Sequence, residues 1–372
     1  MIESHELRCR LWLALADGVS LRGRKQLLNR YGSYAALHDA FPGDAGQVLA
    51  PRLLAKLGRL KAAGLERLVE RLDALGIQVA FLQASQEYPL LLSQIADPPD
   101  LLFYKGTLIG EEERSIAIVG SRRETRYGRN NAQAIARGLA VEGVTIVSGL
   151  ARGIDTAAHK GALEAGGRTI AVLGSGHSCL YPRENADLAE RIVQSGGAII
   201  SELPPNTEPL AYHFPVRNRI VSGLSHGVLL VEAREKSGTL ITVGHALDQG
   251  REVFALPGEV DAPGSQIPHR MIREGARLCT CAADILEDMG WISSSPVQEG
   301  TQEQMDLQVY SQFSGEAGLI HQALANEERS FEELLASTGL SITDLNSHLT
   351  LMELDGWVES LPGRSYRLKR KH

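Results

Sequence analysis

The sequence predicts an α/β protein with a Rossmann-like, mainly parallel sheet as its core, a small helical domain before it and a winged-helix-like domain after it. Five short apolar runs carry the first part of this prediction, and each ends at a turn with Gly, Ser or a charged residue. Helical patterns follow the runs, so the repeated unit is βα, which is typical of a parallel sheet buried on both faces. The runs and their turns are IAIVGSRR (116–123), TIVSGLARGID (145–155), TIAVLGSG (169–176), AIISELPP (198–205) and VLLVEAREKSGT (228–239).

The first 82 residues are predicted to form a separate helical domain. Leu7, Leu11 and Leu15 fall at helical spacing, and a second helical pair is expected from about residue 51 to residue 75. The turn at 18–23, GVSLRG, resembles the turn of a helix-hairpin-helix or sterile-alpha-motif-like unit, in which backbone amides contact phosphate. A plain turn between two helices accounts equally well for this segment.

The remaining domain limits follow from composition. Three prolines between residues 88 and 106 preclude a continuous helix, so this segment is expected to lead into a sheet domain spanning residues 83–291. Residues 292–312 are rich in Ser, Gln and Glu, as linkers are. Residues 313–372 contain three helical patterns and a hairpin, which predicts a winged-helix-like domain. Its third helix is acidic, and this favours a protein-interaction or accessory role over duplex recognition.

Composition excludes several classes of protein. The chain has 372 residues, is 43% hydrophobic, carries a net charge of −7 and contains no apolar run long enough to span a membrane. Its first residues do not resemble a signal peptide, so we expect a cytoplasmic location and no membrane association. None of the four cysteines forms a CxxC pair, which favours reduced thiols over a metal site or a disulfide. Residues 114–137 hold six arginines and one acid, so positive charge is concentrated despite the acidic total.

The turns after the strands predict a phosphate-bearing ligand. The carboxyl ends of parallel strands share one edge of a sheet, glycine allows close approach of a ligand, and helix amino termini favour anions. A hydroxyl and a forked cation follow the first run, and an arginine between two glycines follows the second. The predicted binding residues in these turns and in the turn after the third run are Gly120, Ser121, Arg122, Gly149, Arg152, Gly153 and Gly174.

Two further segments complete the predicted site. In FPVRNR, an aromatic residue stands beside two arginines and an amide, which suits a stacked base flanked by phosphates. The alternative places Phe214 in the core and Arg217 in an ion pair. An extended backbone would put Arg217 and Arg219 on one side, whereas a helix would separate them. The predicted residues here are Phe214, Arg217, Asn218 and Arg219, and the last run adds Lys236, Ser237, Gly238 and Thr239.

The sequence gives no indication of a cofactor or of a catalytic constellation. Neither a Walker A motif nor a dinucleotide fingerprint is present. Asp155 is expected to cap a helix or to pair with Arg152, and His159 to be a hydrogen-bonded structural residue. We therefore predict no catalytic residue, no cofactor and no resident metal.

Taken in order, GSRRETRYG, SGLARGIDTAAHKGAL, YPREN, ISELPP, FPVRNRIVSGLS, LLVEAREKSGTLIT and ALPGEVDAPGSQ resemble the DNA-processing protein A family, DprA or Smf. The resemblance covers about residues 88–290. It implies a Rossmann-like core that binds single-stranded DNA, delivers it to the recombinase RecA during natural transformation and performs no catalytic step. It also implies a homodimer. The chain departs from the family at Ile267–His269, where a glycine-rich turn and an amide are expected.

A second hypothesis belongs to a different class. A Rossmann-like core with a glycine–threonine phosphate loop and Glu232 nearby also resembles phosphoribohydrolases of the lysine-decarboxylase-like group. Such an enzyme needs an acid–base pair beside the phosphate loop, and Glu232 and Arg152 are the only obvious candidates. Oligonucleotide binding measured beside hydrolysis of nucleoside monophosphates would separate the two hypotheses.

Overall fold

The computed structural model describes residues 4–16, 18–234, 237–291, 316–324, 328–354, 357–361 and 364–368. The chain divides into two compact units, Met1–Ile292 and Ser293–His372. The predicted linker at 292–312 lies outside the described residues, so the domain limits there stay a prediction. Within the described part of the chain, no helix combines the length and apolar composition needed to cross a bilayer.

Five helices open the first unit: α1 (His5–Leu15), α2 (Leu21–Tyr31), α3 (Tyr34–Ala40), α4 (Pro51–Ala63) and α5 (Leu65–Ala74). Ser20 and Ser33 cap α2 and α3 because their hydroxyls accept from backbone N–H groups in the first turn. Trp12 and Leu57 are fully buried in the core that the helices share. The helical prediction is thus correct to about residue 75.

The helical prediction is wrong at its end, because residues 78–81 form a strand of the large sheet. Phe81 is only 1% exposed and packs with Leu72 and Phe103 in a core that joins the helices to the sheet. A run of only four residues is too short to show a period, and the strand with which it pairs lies 20 to 26 residues further along the chain.

Nine strands of the described residues form one sheet in the order β1-β2-β6-β5-β4-β3-β7-β8-β9. The run from β6 to β9 is parallel, whereas β1–β2 and β2–β6 are antiparallel. All five predicted strands are present, and β1, β2, β8 and β9 extend the sheet beyond them. The strands are β1 (Gln78–Phe81), β2 (Leu101–Gly106), β3 (Ser115–Val119), β4 (Thr145–Ser148), β5 (Thr169–Val172), β6 (Ala198–Ser201), β7 (Gly227–Leu230), β8 (Glu252–Ala255) and β9 (Arg277–Leu278).

Helices cover both faces of the sheet, as the βα repeat predicts. Ile135 and Ala158 belong to the core under one face, and Ile220 and Val243 to the core under the other. The helices are α6 (Leu90–Ser93), α7 (Arg126–Val141), α8 (Ile154–Glu164), α9 (Ala186–Gln194), α10 (His213–Gly223), α11 (Thr239–Asp248), α12 (Gln266–Arg273) and α13 (Ala282–Asp288). A mainly parallel Rossmann-like fold is therefore confirmed.

The strand order locates the expected ligand edge. The chain adds β4, β5 and β6 on one side of β3 and then returns to add β7 on its other side. The connections after β3 and β7 therefore diverge and leave a crevice at the carboxyl ends of these two strands. Open α/β sheets bind their ligands at such a switch point.

The second unit is small and has its own core. Its described elements are α14 (Glu316–Ala323), α15 (Phe331–Thr338), α16 (Ile342–Leu354) and a three-stranded sheet of β10 (Arg329–Ser330), β11 (Val358–Leu361) and β12 (Ser365–Leu368). Ile320, Leu334 and Leu345 are fully buried in that core. The three helices and the hairpin agree with the predicted winged-helix arrangement.

Candidate functional site

A cavity of about 820 Å³ opens at the switch point. It lies between the turns that follow β3, β4 and β7, and the first turn of α10 forms another wall. Most of the predicted residues line this cleft: Gly120, Ser121, Arg122, Gly149, Phe214, Arg217, Asn218, Ser237, Gly238 and Thr239. Turns that are distant in the sequence thus meet at one edge of the sheet, as the sequence predicts.

A smaller cavity of about 220 Å³ adjoins the cleft and shares Arg122 and Phe214 with it. Arg152 lines this second cavity, where its guanidinium forms a two-pronged ion pair with Glu184 (Nε–Oε1 2.6 Å). The sequence alternative that pairs Arg152 with Asp155 is therefore wrong. An anion that enters this cavity would compete with the Glu184 carboxylate for Arg152.

Gly153, Gly174 and Arg219 do not line either cavity, and Lys236 lies outside the described residues. Gly153 has φ +80°, and a Cβ there would meet the backbone oxygen of Ser121 at 2.2 Å. A Cβ on Gly174 would meet the Phe214 ring at 2.8 Å. These two glycines act on the site indirectly, because they allow the walls of the cleft to pack closely.

Arg219 was expected to face a phosphate, and the structure places it elsewhere. Its guanidinium pairs with Glu202 (Nη2–Oε2 2.7 Å) and with Asp97 (Nε–Oδ2 3.2 Å), and only 11% of the side chain is exposed. The FPVRNR segment lies in the first turns of α10, where residues two apart point about 200° apart around the axis. The helix therefore separates Arg219 from the cleft that Phe214 lines.

Arg217 lies beneath the cleft and is only 4% exposed. Its Nη1 donates to the carbonyl oxygens of Gly149 (2.7 Å) and Val172, which ties α10 to the ends of β4 and β5. Burial lowers the pKa of the guanidinium to about 10, and nearby Asp155 opposes this shift. Arg217 stays charged at neutral pH and supports the floor of the cleft, in place of the exposed phosphate contact that the sequence predicts.

Asp155 completes this buried support. One oxygen of its carboxylate accepts from the backbone N–H groups of Gly149 (3.1 Å) and Ala151 (3.3 Å), so it fixes the turn after β4. Burial raises its pKa, and the charge of Arg217 opposes that rise. A Cβ on Gly149 would lie 2.7 Å from Arg217 Nη2 and 2.8 Å from Asp155 Oδ2. Gly149 is therefore needed for this close approach.

Among the residues that the structure describes, the exposed cations of the cleft are Arg122, Arg123 and Arg234. Arg122 lies over the ring of Phe214, with its guanidinium carbon 5.2 Å from the ring centroid. Of the arginines predicted to bind the ligand, Arg122 is thus the one whose exposed guanidinium faces the main cleft. Arg234 was missed as a site residue, although it stands in the turn after the fifth run, and its charge there was the available signal.

Tyr181 is a second aromatic residue that sequence reasoning missed. Its ring meets that of Phe214 edge to face, with 5.8 Å between the centroids, and 41% of the residue is exposed. It lies within the YPREN segment, and the only signal in this segment was its resemblance to the DNA-processing protein A family. Together Tyr181, Phe214 and Arg122 present two rings and a planar cation on one wall of the cleft.

The turn after β7 is held in place by local hydrogen bonds. Thr239 Oγ1 lies 2.8 Å from Ser237 Oγ and 3.2 Å from the carbonyl oxygen of Gly120, and Asn218 Nδ2 donates to the carbonyl of Gly238 (3.3 Å). These bonds join the turns after β3 and β7 at the amino terminus of α11, where the partial positive charge of the helix favours an anion.

The residues considered for catalysis have structural partners. Glu232 is 5% exposed, does not line the cleft and accepts from the backbone N–H of Thr125 (3.0 Å) and from its hydroxyl. His159 is fully buried, its Nδ1 lies 2.7 Å from Thr169 Oγ1, and burial lowers its pKa to about 3. His269 is one of the residues at which the sequence departs from the family pattern. Its ring contacts the backbone of Gly258 (Nε2–N 3.2 Å).

Fold and site together define a Rossmann-like protein with a cleft at the switch point, and the wall of this cleft carries aromatic rings and exposed arginines. Residues 80–290 match the family model described as DNA recombination-mediator protein A, and residues 311–364 match that of the DprA winged helix domain. The chain therefore belongs to the DNA recombination-mediator protein A family, as the sequence motifs indicate, and its C-terminal domain is a winged helix.

Similar proteins agree with this membership. The chain is 42% identical to Protein Smf of Escherichia coli (strain K12) over 294 residues, which cover 77% of this chain and 76% of that protein. It is 45% identical to DNA processing protein DprA of Bacillus subtilis (strain 168) over 207 residues, or 55% of this chain and 69% of the relative.

Solved structures of DNA processing protein A from two other bacteria are among those similar to this chain. DNA processing protein A of Streptococcus pneumoniae has a TM-score of 0.63 at 34% identity, and the match covers 75% of this chain and 97% of the other. DNA processing protein A of Helicobacter pylori, described for its single-stranded DNA binding mode, has a TM-score of 0.50 at 28% identity and covers 57% and 95%.

Proposed function

We propose that this protein binds single-stranded DNA in the cleft at the switch point and acts as a recombination mediator. The observation that carries the proposal is the wall formed by Arg122 and Phe214, where a cation lies 5.2 Å above an aromatic ring and both face the cleft. An exposed guanidinium binds a phosphodiester, and an aromatic ring stacks on a base.

The arrangement favours a single strand over a duplex. Stacking on Phe214 and Tyr181 requires bases that are free to leave their neighbours, and the bases of a duplex are stacked on one another. The cations and backbone N–H groups of the cleft contact phosphates, which carry no sequence information, so little sequence preference is expected.

The finer role rests on family membership. Within this family, the proposed function is to protect incoming or exposed single strands and to load the recombinase RecA, as in natural transformation. We also propose a cytoplasmic location and a homodimer that assembles through the sheet domain. RecA, DNA and a second copy of the chain are thus the proposed partners, and the proposal includes no catalytic step and no cofactor.

Direct binding tests the proposal. Fluorescence anisotropy should show tighter binding to a labelled single strand than to a blunt duplex of the same sequence at the same salt concentration. Affinity should fall with salt, with a log–log slope of about −0.7 for each phosphate neutralised. Equal affinity for the two DNA forms would contradict the proposal.

The phosphoribohydrolase hypothesis has weaker support from the site. The Glu232 carboxylate is buried against Thr125, and Arg152 is paired with Glu184 outside the main cleft. The two residues therefore do not form an acid–base pair beside the phosphate loop. Release of free base from a nucleoside monophosphate, abolished by Glu232→Gln, would revive that hypothesis.

A further inference from the structure

A cluster of possible metal ligands lies in the N-terminal helices, away from the cleft. His5, Cys9 and His38 each offer a ligand atom, and these atoms all lie within 4.8 Å of one another. His5 and Cys9 stand one helical turn apart on α1, and His38 lies in the last turn of α3. The cluster therefore joins two helices that are separated in the sequence by α2.

The spacing within the cluster suits a tetrahedral ion. His5 Nε2 lies 3.6 Å from Cys9 Sγ. A thiolate and an imidazole that bind the same Zn²⁺ tetrahedrally are roughly 3.5 Å apart, given bond lengths of about 2.3 Å and 2.0 Å. A ring nitrogen of His38 lies within 4.8 Å of Cys9 Sγ and of a ring nitrogen of His5.

The His38 ring provides a second, independent observation. Its Nε2 atom is buried and has no hydrogen-bond partner among the described residues, although only 13% of the side chain is exposed. A buried polar atom without a partner is rare and costly. An ion held by this nitrogen would remove that cost.

The other nitrogen of the ring has the partner that metal-bound histidines usually have. His38 Nδ1 lies 3.3 Å from Asp39 Oδ1, and a carboxylate at this place orients an imidazole whose other nitrogen binds a metal. The same Asp39 oxygen lies 3.8 Å from His5 Nε2, so its negative charge acts on the whole cluster.

Ordinary packing explains only part of this arrangement. The rings of His38 and Trp12 meet edge to face, with 5.0 Å between the centroids, and Cys9 is fully buried in the core of the helices. Hydrophobic packing does not require two imidazoles and a carboxylate around a thiol, and it leaves Nε2 of His38 without a partner.

We propose that Cys9 Sγ, one ring nitrogen of His5 and Nε2 of His38 form a binding site for Zn²⁺, with Asp39 as the outer partner of His38. One thiolate and two imidazoles are a donor set that favours zinc over magnesium or calcium. Because 57% of the His5 side chain is exposed, water can reach the fourth coordination position. The bound ion would clamp the start of α1 to the end of α3 and stabilise this helical domain.

The test uses the full-length chain without a polyhistidine tag, freed of metal by a chelator. Zn²⁺ is titrated in competition with a chromophoric chelator, and Co²⁺ is added separately to detect absorption from thiolate-to-cobalt charge transfer. The variants are Cys9→Ser, His38→Gln and His5→Gln, and the control is Cys281→Ser, because Cys281 is exposed and lies outside the cluster. Circular dichroism checks that each variant is folded.

We expect one tightly bound Zn²⁺ per chain in the unmodified protein and in Cys281→Ser, and a loss of affinity of at least about tenfold in each cluster variant. Zn²⁺ should raise the melting temperature of the unmodified protein and of Cys281→Ser, and not that of the cluster variants. His5→Gln keeps the test decisive if Cys9→Ser fails to fold, since His5 is half exposed at a helix end. Unchanged affinity in His5→Gln, no charge-transfer band, or no tight binding by the unmodified chain would overturn the proposal.

Discussion

Replacement of Arg122 is the most direct probe of the cleft. Its side chain is exposed, lines both cavities and lies over Phe214, so no buried partner is lost when it is truncated. One charge-assisted hydrogen bond to a phosphate contributes about 1.5–3 kcal/mol. Arg122→Ala should therefore weaken binding to a single strand by about 10- to 150-fold.

Two companion variants make the measurement specific. Arg122→Lys keeps the charge but loses the planar fork and the stacking on Phe214, so its affinity should lie between those of the unmodified protein and Arg122→Ala. Arg137→Ala removes the same charge from an exposed position about three turns after the start of α7 and should bind normally.

Anisotropy titrations at several salt concentrations give both the affinity and the salt slope. The slope for Arg122→Ala should become less negative by about 0.7, because one phosphate contact is lost. The melting temperature should not change. Normal binding by a folded Arg122→Ala would refute the assignment of this turn to the DNA cradle, and an equal loss in Arg137→Ala would show that only the net charge matters.

Four further outcomes are expected. Arg217→Met removes the donor to the carbonyls of Gly149 and Val172 and a positive charge that acts on Asp155, so it should cost about 1–3 kcal/mol and lower the melting temperature by about 2–12 °C in a thermal scan; a change below 2 °C would contradict a supporting role. Gly149→Ala should cost about 1–3 kcal/mol by crowding Arg217 and should weaken DNA binding, whereas the same change at Gly244, where a Cβ meets nothing within 4 Å, should be tolerated. The pKa of His159 is lowered from its ordinary value of 6.5 to about 3, so the unfolded chain binds the proton first and stability should fall by about 2 kcal/mol between pH 7 and pH 5; in His159→Asn this part of the loss, seen as a shift in melting temperature, should disappear. Deletion from residue 311 onward should leave most single-strand affinity in place, because the described cleft residues all precede it; a truncated protein that is folded but no longer binds would show that the C-terminal domain supplies the main phosphate contacts.

The pattern along the chain was enough to determine the five strands β3 to β7 of the sheet and its ligand edge. A parallel strand is buried on both faces, so each of the five strands had to be a continuous apolar run, and each run ended at a turn that the chain marks with Gly, Ser or Arg. Because parallel strands share an edge, Gly120, Gly149 and Thr239 had to come together. Four strands were missed: β1 and β2 are antiparallel additions with no repeated βα signal, and β8 and β9 are short parallel additions at the other end of the sheet.

The roles of individual arginines were decided by the tertiary structure alone. In the sequence, Arg217 and Arg219 are equivalent neighbours of Phe214. The helix α10 turns them apart, so that Arg217 enters the core beside Asp155 and Arg219 reaches Glu202. Similarly, His5, Cys9 and His38 have no recognisable metal spacing, and only the packing of α1 against α3 brings them within 4.8 Å. Local pattern specifies which residues are buried or form turns, whereas the partner of a long polar side chain depends on contacts distant in sequence.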